Sequence, residues 1–92
     1  METLEFKKKG SKYEAEITVS SDFNLHIERE QSGVLYVQQR TSENGAFDSI
    51  SGANFGQTDT VIDYDFVGSI YPKHIKVVSG VLPTMAVVTF AE

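Results

Sequence analysis

Turn residues punctuate this chain at a nearly constant spacing, and no other feature narrows its possible folds as far. Gly33, Gly45, Gly56, Gly68 and Gly80 follow one another at steps of 12, 11, 12 and 12 residues, and Gly10 and the Ser20-Ser21-Asp22 cluster extend the series toward the amino terminus. Glycine reaches positive φ without steric cost, and Ser and Asp bond to their own backbone, so these marks are places where a chain reverses. Between them apolar and polar residues alternate. Tyr13, Ala15, Ile17 and Val19 interleave with Glu14, Glu16 and Thr18, and Phe23, Leu25 and Ile27 with Asn24, His26 and Glu28. Ile62, Tyr64 and Phe66 alternate with Asp63 and Asp65, and Ile75 and Val77 with His74 and Lys76. A period of two carried by β-branched and aromatic residues describes half-buried strands.

Four further segments complete the set. Leu4 and Phe6 alternate with Glu5 and Lys7. Val34 to Val37 is a continuous apolar run, which predicts a strand covered on both faces. Ala46 to Ile50 is a weak signal inside a stretch, residues 42–60, rich in Ser, Gly, Asn, Asp and Gln. Met85 to Phe90 closes the chain. No window carries a sustained helical period. The expectation is an all-β chain in which residues 1–92 form one small antiparallel β-sandwich, jelly-roll or Ig-like, of about eight short strands. Strand order does not show in a sequence, so the two sandwich types stay open.

Composition limits what such a domain can do. The chain has 92 residues, no cysteine and two histidines, so disulfides and thiolate metal sites are excluded. A domain of this size buries only about 60–65% of the surface of its unfolded chain, so support must come from close packing or self-association. The net charge of −5 is concentrated: residues 41–72 contain Glu43, Asp48, Asp59, Asp63 and Asp65 and no Lys or Arg. Such an acidic field repels nucleic acid and anionic lipid. No segment approaches the roughly 20 apolar residues of a membrane span. The amino-terminal METLEFKKK lacks a continuous apolar stretch, which predicts no signal peptide and synthesis in the cytoplasm.

Candidate sites are few. Asp59, Asp63 and Asp65 carry oxygen ligands of the kind calcium needs, but Asp63 and Asp65 share one strand face and their spacing is not that of a compact calcium loop, so a solvated face is expected. His26 and His74 fall on the polar sides of their strands. Serines such as Ser20, Ser49 and Ser69 sit in no G-x-S-x-G elbow, and no enzymatic role is expected. The segment from Gly52 to Gly56 opens no helix and is not a phosphate cradle. No cofactor or metal is expected. Lys7, Lys8 and Lys9 form a basic run that either is solvated or complements an acidic surface on a partner or a second copy. Val81, Leu82 and Pro83 stand where a polar turn is expected, either as a contact patch or folded over an open end of the sandwich. Tyr13, Tyr36 and Tyr64 lie in apolar runs or on apolar faces, which predicts core packing. Tyr71, ahead of Pro72, lies outside the strands and is the candidate sugar contact.

Three segments carry a family resemblance: Asp22–Glu30 (DFNLHIERE), Val37–Ser42 (VQQRTS) and above all Tyr71–Ser79 (YPKHIKVVS). They resemble small auxiliary, or decoration, capsid proteins of tailed phages, those of crAss-like phages of the gut in particular. The resemblance spans most of the chain and includes no catalytic motif. It implies a structural virion protein on the capsid exterior, with the major capsid protein and copies of itself as partners. The alternative is a carbohydrate- or surface-binding module of a host-attachment apparatus, with Tyr71 as its contact.

Overall fold

The structure is a computed structural model and describes residues 1–42, 45–55, 59–68 and 70–91, with residues 51–55 described by their backbone alone. Glu43, Gly56 and Ser69, named above, lie outside the described residues. The described chain forms nine strands and no helix: β1 (Glu2–Thr3), β2 (Lys7–Lys9), β3 (Lys12–Val19), β4 (Phe23–Glu28), β5 (Leu35–Arg40), β6 (Asp48–Phe55), β7 (Val61–Phe66), β8 (Lys73–Ser79) and β9 (Met85–Phe90). All pairings are antiparallel. One sheet runs β1-β9-β4-β7 and the other β2-β3-β8-β5-β6.

With β2 set aside, the remaining eight strands counted in chain order run 1-8-3-6 in one sheet and 2-7-4-5 in the other. This is the jelly-roll order, a long antiparallel ribbon wound on itself so that two Greek keys result. It chooses between the two sandwich types that the sequence left open. The Leu4 and Phe6 alternation is not one strand. The chain leaves the first sheet after Thr3, crosses at Leu4–Phe6, and joins the second sheet as β2. Leu4 is buried in this crossing and its amide donates to the carbonyl of Ala86 at 2.9 Å. The Ser- and Gly-rich stretch is also more ordered than its propensities suggest, for β6 has eight residues and forms a sheet edge. Its pairing with β5 shifts register between Tyr36 and Gln38, a bulge of the kind found at edges.

The strand faces follow the alternation. Phe23, Leu25 and Ile27 point inward from β4, facing Ala15, Val19, Val37, Ile75 and Val77 of the other sheet, with Ile17 partly buried beside them. Tyr36 is an exception to the expected core packing. It lies opposite Val78 on the outer face, half-buried, with the Lys12 ammonium 5.6 Å from its ring centroid. Tyr64 lies on the inner face of edge strand β7 and remains 38% exposed, its ring against Phe66.

The glycine rhythm now has a geometric cause. Successive loops alternate between the two ends of the sandwich, so twelve residues are one strand and one return. Among the described residues only Gly10 has positive φ (64°). At Gly80 the need is space instead: a Cβ there would meet Val34 Cγ1 at 2.9 Å, and the Gly80 amide donates to the Val34 carbonyl at 2.8 Å.

Candidate functional site

The two ends of the sandwich are built differently. At one end Arg29 continues the inward phase of Phe23, Leu25 and Ile27, and its side chain is only 5% exposed. Its guanidinium donates to the carbonyl oxygens of Gly33 (3.0 Å), Val34 (3.3 Å) and Asp59, and to Ser79 Oγ (3.3 Å). Ser79 Oγ in turn donates to the Val81 carbonyl at 2.6 Å. One buried cation thus ties together the β4–β5 loop, the segment before β7 and the end of β8. Burial lowers the Arg29 pKa, with the Asp59 charge opposing.

Lys7, Lys8, Lys9 and Val81, Leu82, Pro83 flank this same end. Lys9 pairs with Lys12 beside the Gly10 turn, and the neighbouring Tyr13 pairs with Ser79, two residues before Val81. All three lysines are exposed. Val81 and Pro83 are half-buried, and Leu82 is 52% exposed, so it does not fold over the sandwich end.

At the opposite end the sheets splay into a cleft of about 290 Å³. Its floor on one sheet includes the aromatic rings of Phe66 and Phe23, paired across β7 and β4. Phe23 and Phe66 stack with centroids 4.8 Å apart and planes 12° from parallel. The facing wall is Lys73 and Gln39. Both occupy inward positions: Lys73 is opposite buried Val19, and Gln39 is opposite buried Ile75. Lys73 Nζ donates to Gln39 Oε1 at 3.3 Å and stands 4.9 Å from the Tyr71 ring centroid. Val67 (81% exposed) and Ile70 (64% exposed) flank the mouth.

Tyr71 is therefore not the free tyrosine its position in the sequence suggests. Its ring packs against the core cluster, and its hydroxyl donates to Asp22 Oδ1. The same oxygen accepts from the Gly68 amide at 3.1 Å. The Tyr71 and Gly68 bonds hold the Asp22 carboxyl below its usual range, with Lys73 adding to the effect, and the Asp22 bond raises the Tyr71 phenol. The β3–β4 turn is thereby fastened to the β7–β8 loop, and Tyr71 offers the cleft a wall rather than a loose platform.

The acidic face of β7 is a hydrogen-bonded ladder. Asn24 Nδ2 donates to Asp63 Oδ1 (2.6 Å) and Asp65 Oδ1 (2.9 Å). His26 bonds through Nδ1 to Asp63 Oδ2 (3.2 Å) and through Nε2 to Glu28 Oε2 (2.8 Å). Glu28 first, then Asp63, raises the His26 pKa, while Asn24 and then His26 lower that of Asp63. Asp59 is exposed and contributes its backbone carbonyl to Arg29. Among the described residues no group of three or more His, Asp or Glu is arranged to hold a metal ion. His74 lies on the opposite sheet, with its Nδ1 3.0 Å from Thr18 Oγ1.

Arg29, Lys73 and Gln39 are the residues that sequence reasoning passed over. The signal was present: each continues the apolar phase of its strand, Arg29 and Gln39 two residues after buried Ile27 and Val37 and Lys73 two residues before buried Ile75. No protein-family model matches the chain, and no curated protein or solved structure does either.

Proposed function

We propose that this chain is a non-catalytic structural protein: an auxiliary or decoration protein that binds the shell formed by the major capsid protein of a tailed phage and sits on the capsid exterior. The observation that carries this reading is the placement of exposed apolar side chains at both ends of the sandwich. Val67 and Ile70 stand at the cleft end, and Leu82 stands at the end tied by Arg29. Two separated apolar contacts suit a small domain that bridges neighbouring subunits. The exposed Lys7, Lys8 and Lys9 beside Leu82 add a charged rim for an acidic partner or a second copy. The jelly-roll order is common in capsid and lectin domains, an argument from fold alone. Quantitative mass spectrometry and cryo-electron microscopy of purified virions test the reading. A copy number in fixed ratio to the major capsid protein supports it, and absence from virions removes it.

A second reading, a surface- or carbohydrate-binding module, is favoured by the cleft, where a tyrosine ring adjoins an ammonium and an amide. Its test is a glycan array with the wild-type chain and Tyr71→Ala. Binding lost in a variant that remains folded supports it, and an array without binding removes it.

A further inference from the structure

We propose that the cleft binds a small amphipathic acid: a compact aromatic or branched apolar body carrying one carboxylate, which ion-pairs with Lys73. The inference rests on the second reading above, that the cleft is a binding site, and assigns the chemical class of its ligand.

Three observations converge on it. First, Lys73 is a cation at a position that strand phase reserves for an apolar side chain. Its neighbours on that face, Ile75, Val77 and Ser79, are all buried. Sequence phase therefore places an ammonium into the sandwich mouth rather than into solvent. Second, that ammonium has no anion. Its contacts are the Gln39 amide oxygen and the Tyr71 ring, and among the described residues no carboxylate oxygen lies within 4.0 Å of Nζ. Asp22 acts on it electrostatically, but the nearer claims on Asp22 are the Tyr71 hydroxyl and the Gly68 amide. Among the described residues no Asp or Glu lines the cleft, in a chain of net charge −5. Third, the aromatic and branched side chains of Phe23, Ile50, Phe66 and Ile75 give the cleft an apolar side, beside Thr41 and Gly68, and its size suits one ring and a short chain. The volume of about 290 Å³ is roughly twice the ~150 Å³ that accommodates benzene. An unpaired cation beside low-dielectric walls attracts an anion more strongly than the same cation in water. A neutral ligand would leave it unpaired, and a cationic one would be repelled. The Gln39 amide N–H groups stand beside the ammonium as donors for the second carboxylate oxygen.

The probe set is 4-phenylbutyrate, its neutral analogue 4-phenylbutanol and its cationic analogue 4-phenylbutylamine. Each is titrated into the isotope-labelled chain and followed by amide chemical shifts. 4-Phenylbutyrate should give saturable shifts at Val67, Gly68, Ile70 and Lys73, with an affinity at least tenfold above that of the alcohol and no saturation with the amine. Lys73→Met should reduce the acid to the affinity of the alcohol, and Lys73→Arg should restore the preference. Lys73→Gln serves as a second neutral variant, and the comparison of acid with alcohol on the wild-type chain needs no variant. If the alcohol or amine binds as well as the acid, the cleft is a site but the assigned class is wrong. If no probe gives saturable shifts there, or the shifts gather at Lys7, Lys8 and Lys9, the proposal fails, while the second reading stands or falls on the glycan array.

Discussion

The Arg29 clamp offers the sharpest test of how the domain is held together, through Arg29→Met. Methionine keeps an apolar stem in the site and removes the guanidinium. The two best-placed bonds, to the Gly33 and Asp59 carbonyls, involve a charged donor, each worth about 1.5–3 kcal/mol net. Their loss alone comes to about 3–6 kcal/mol. Against it stands the desolvation cost of the buried cation, which the substitution removes, and the freed loop carbonyls partly rehydrate. The net expectation is a loss of about 2–4 kcal/mol, from a total that for a chain of this length is about 5–14 kcal/mol. At about 4–8 °C per kcal/mol this lowers the melting midpoint by about 8–30 °C. Urea unfolding followed by circular dichroism and tyrosine fluorescence measures it, since the chain has four tyrosines and no tryptophan. Hydrogen exchange adds a local reading: the Gly80 amide, bonded to Val34, should lose protection more than amides at the cleft end. Arg29→Lys should recover only part of the loss, because one ammonium cannot serve carbonyls lying in several directions. A loss below about 1 kcal/mol in the Met variant would refute the clamp.

Three further outcomes are expected. Lys73→Met should change stability by less than about 0.5 kcal/mol in the same urea assay, because Lys73 is half-buried and holds no anion; a loss above about 2 kcal/mol would make it a structural cap instead. Leu25→Ala, at a fully buried position, should cost about 3–5 kcal/mol and the partly buried Ile17→Ala about 2 kcal/mol, and a cost below about 1 kcal/mol at Ile17 would invert the assigned face of β3. The His26 pKa is raised by Glu28 and Asp63, so its stabilisation is complete below the ordinary imidazole value of about 6.5 and is lost as pH rises through the raised value. The low-held Asp63 acts in the opposite sense and loses its stabilisation as pH falls through its lowered pKa. Melting midpoints across this window should decline on the alkaline side, and His26→Gln should flatten that decline; a His26 ring titrating below its ordinary value by NMR would contradict the arrangement.

Periodicity revealed most of the strands and their faces because it reports burial directly. Phe23, Leu25 and Ile27 alternate in the chain as they do in space, and so do Ala15, Ile17 and Val19. What periodicity could not reveal depends on partners distant in sequence. The crossing at Leu4–Phe6 looks like uninterrupted alternation, because a chain passing between sheets can keep its phase. Strand β6 showed only as the weak signal of Ala46 to Ile50, and its run on to Phe55 was hidden by Ser, Gly and Asn, residues that an edge strand tolerates and a central strand does not. Tyr36 and Tyr71 exchanged expected roles. Tyr36 stands in an apolar run whose outer face is covered only in part, and Tyr71 is drawn inward by Asp22, a residue 49 positions away. The candidate cleft was legible only as an irregularity, a lysine where the phase of β8 calls for an aliphatic.

The strand order also governs when this chain can fold. Strand β9 lies between β1 and β4, and β8 lies between β3 and β5. The interior strands that complete both sheets are therefore the last two of the nine to be synthesised. Until Ser79 has cleared the ribosome β3 and β5 lack the strand between them, and until Phe90 has cleared it β1 and β4 do. The sandwich closes only after all nine strands are out, and until then the nascent chain carries unpaired edges of the kind that chaperones cover and aggregates exploit.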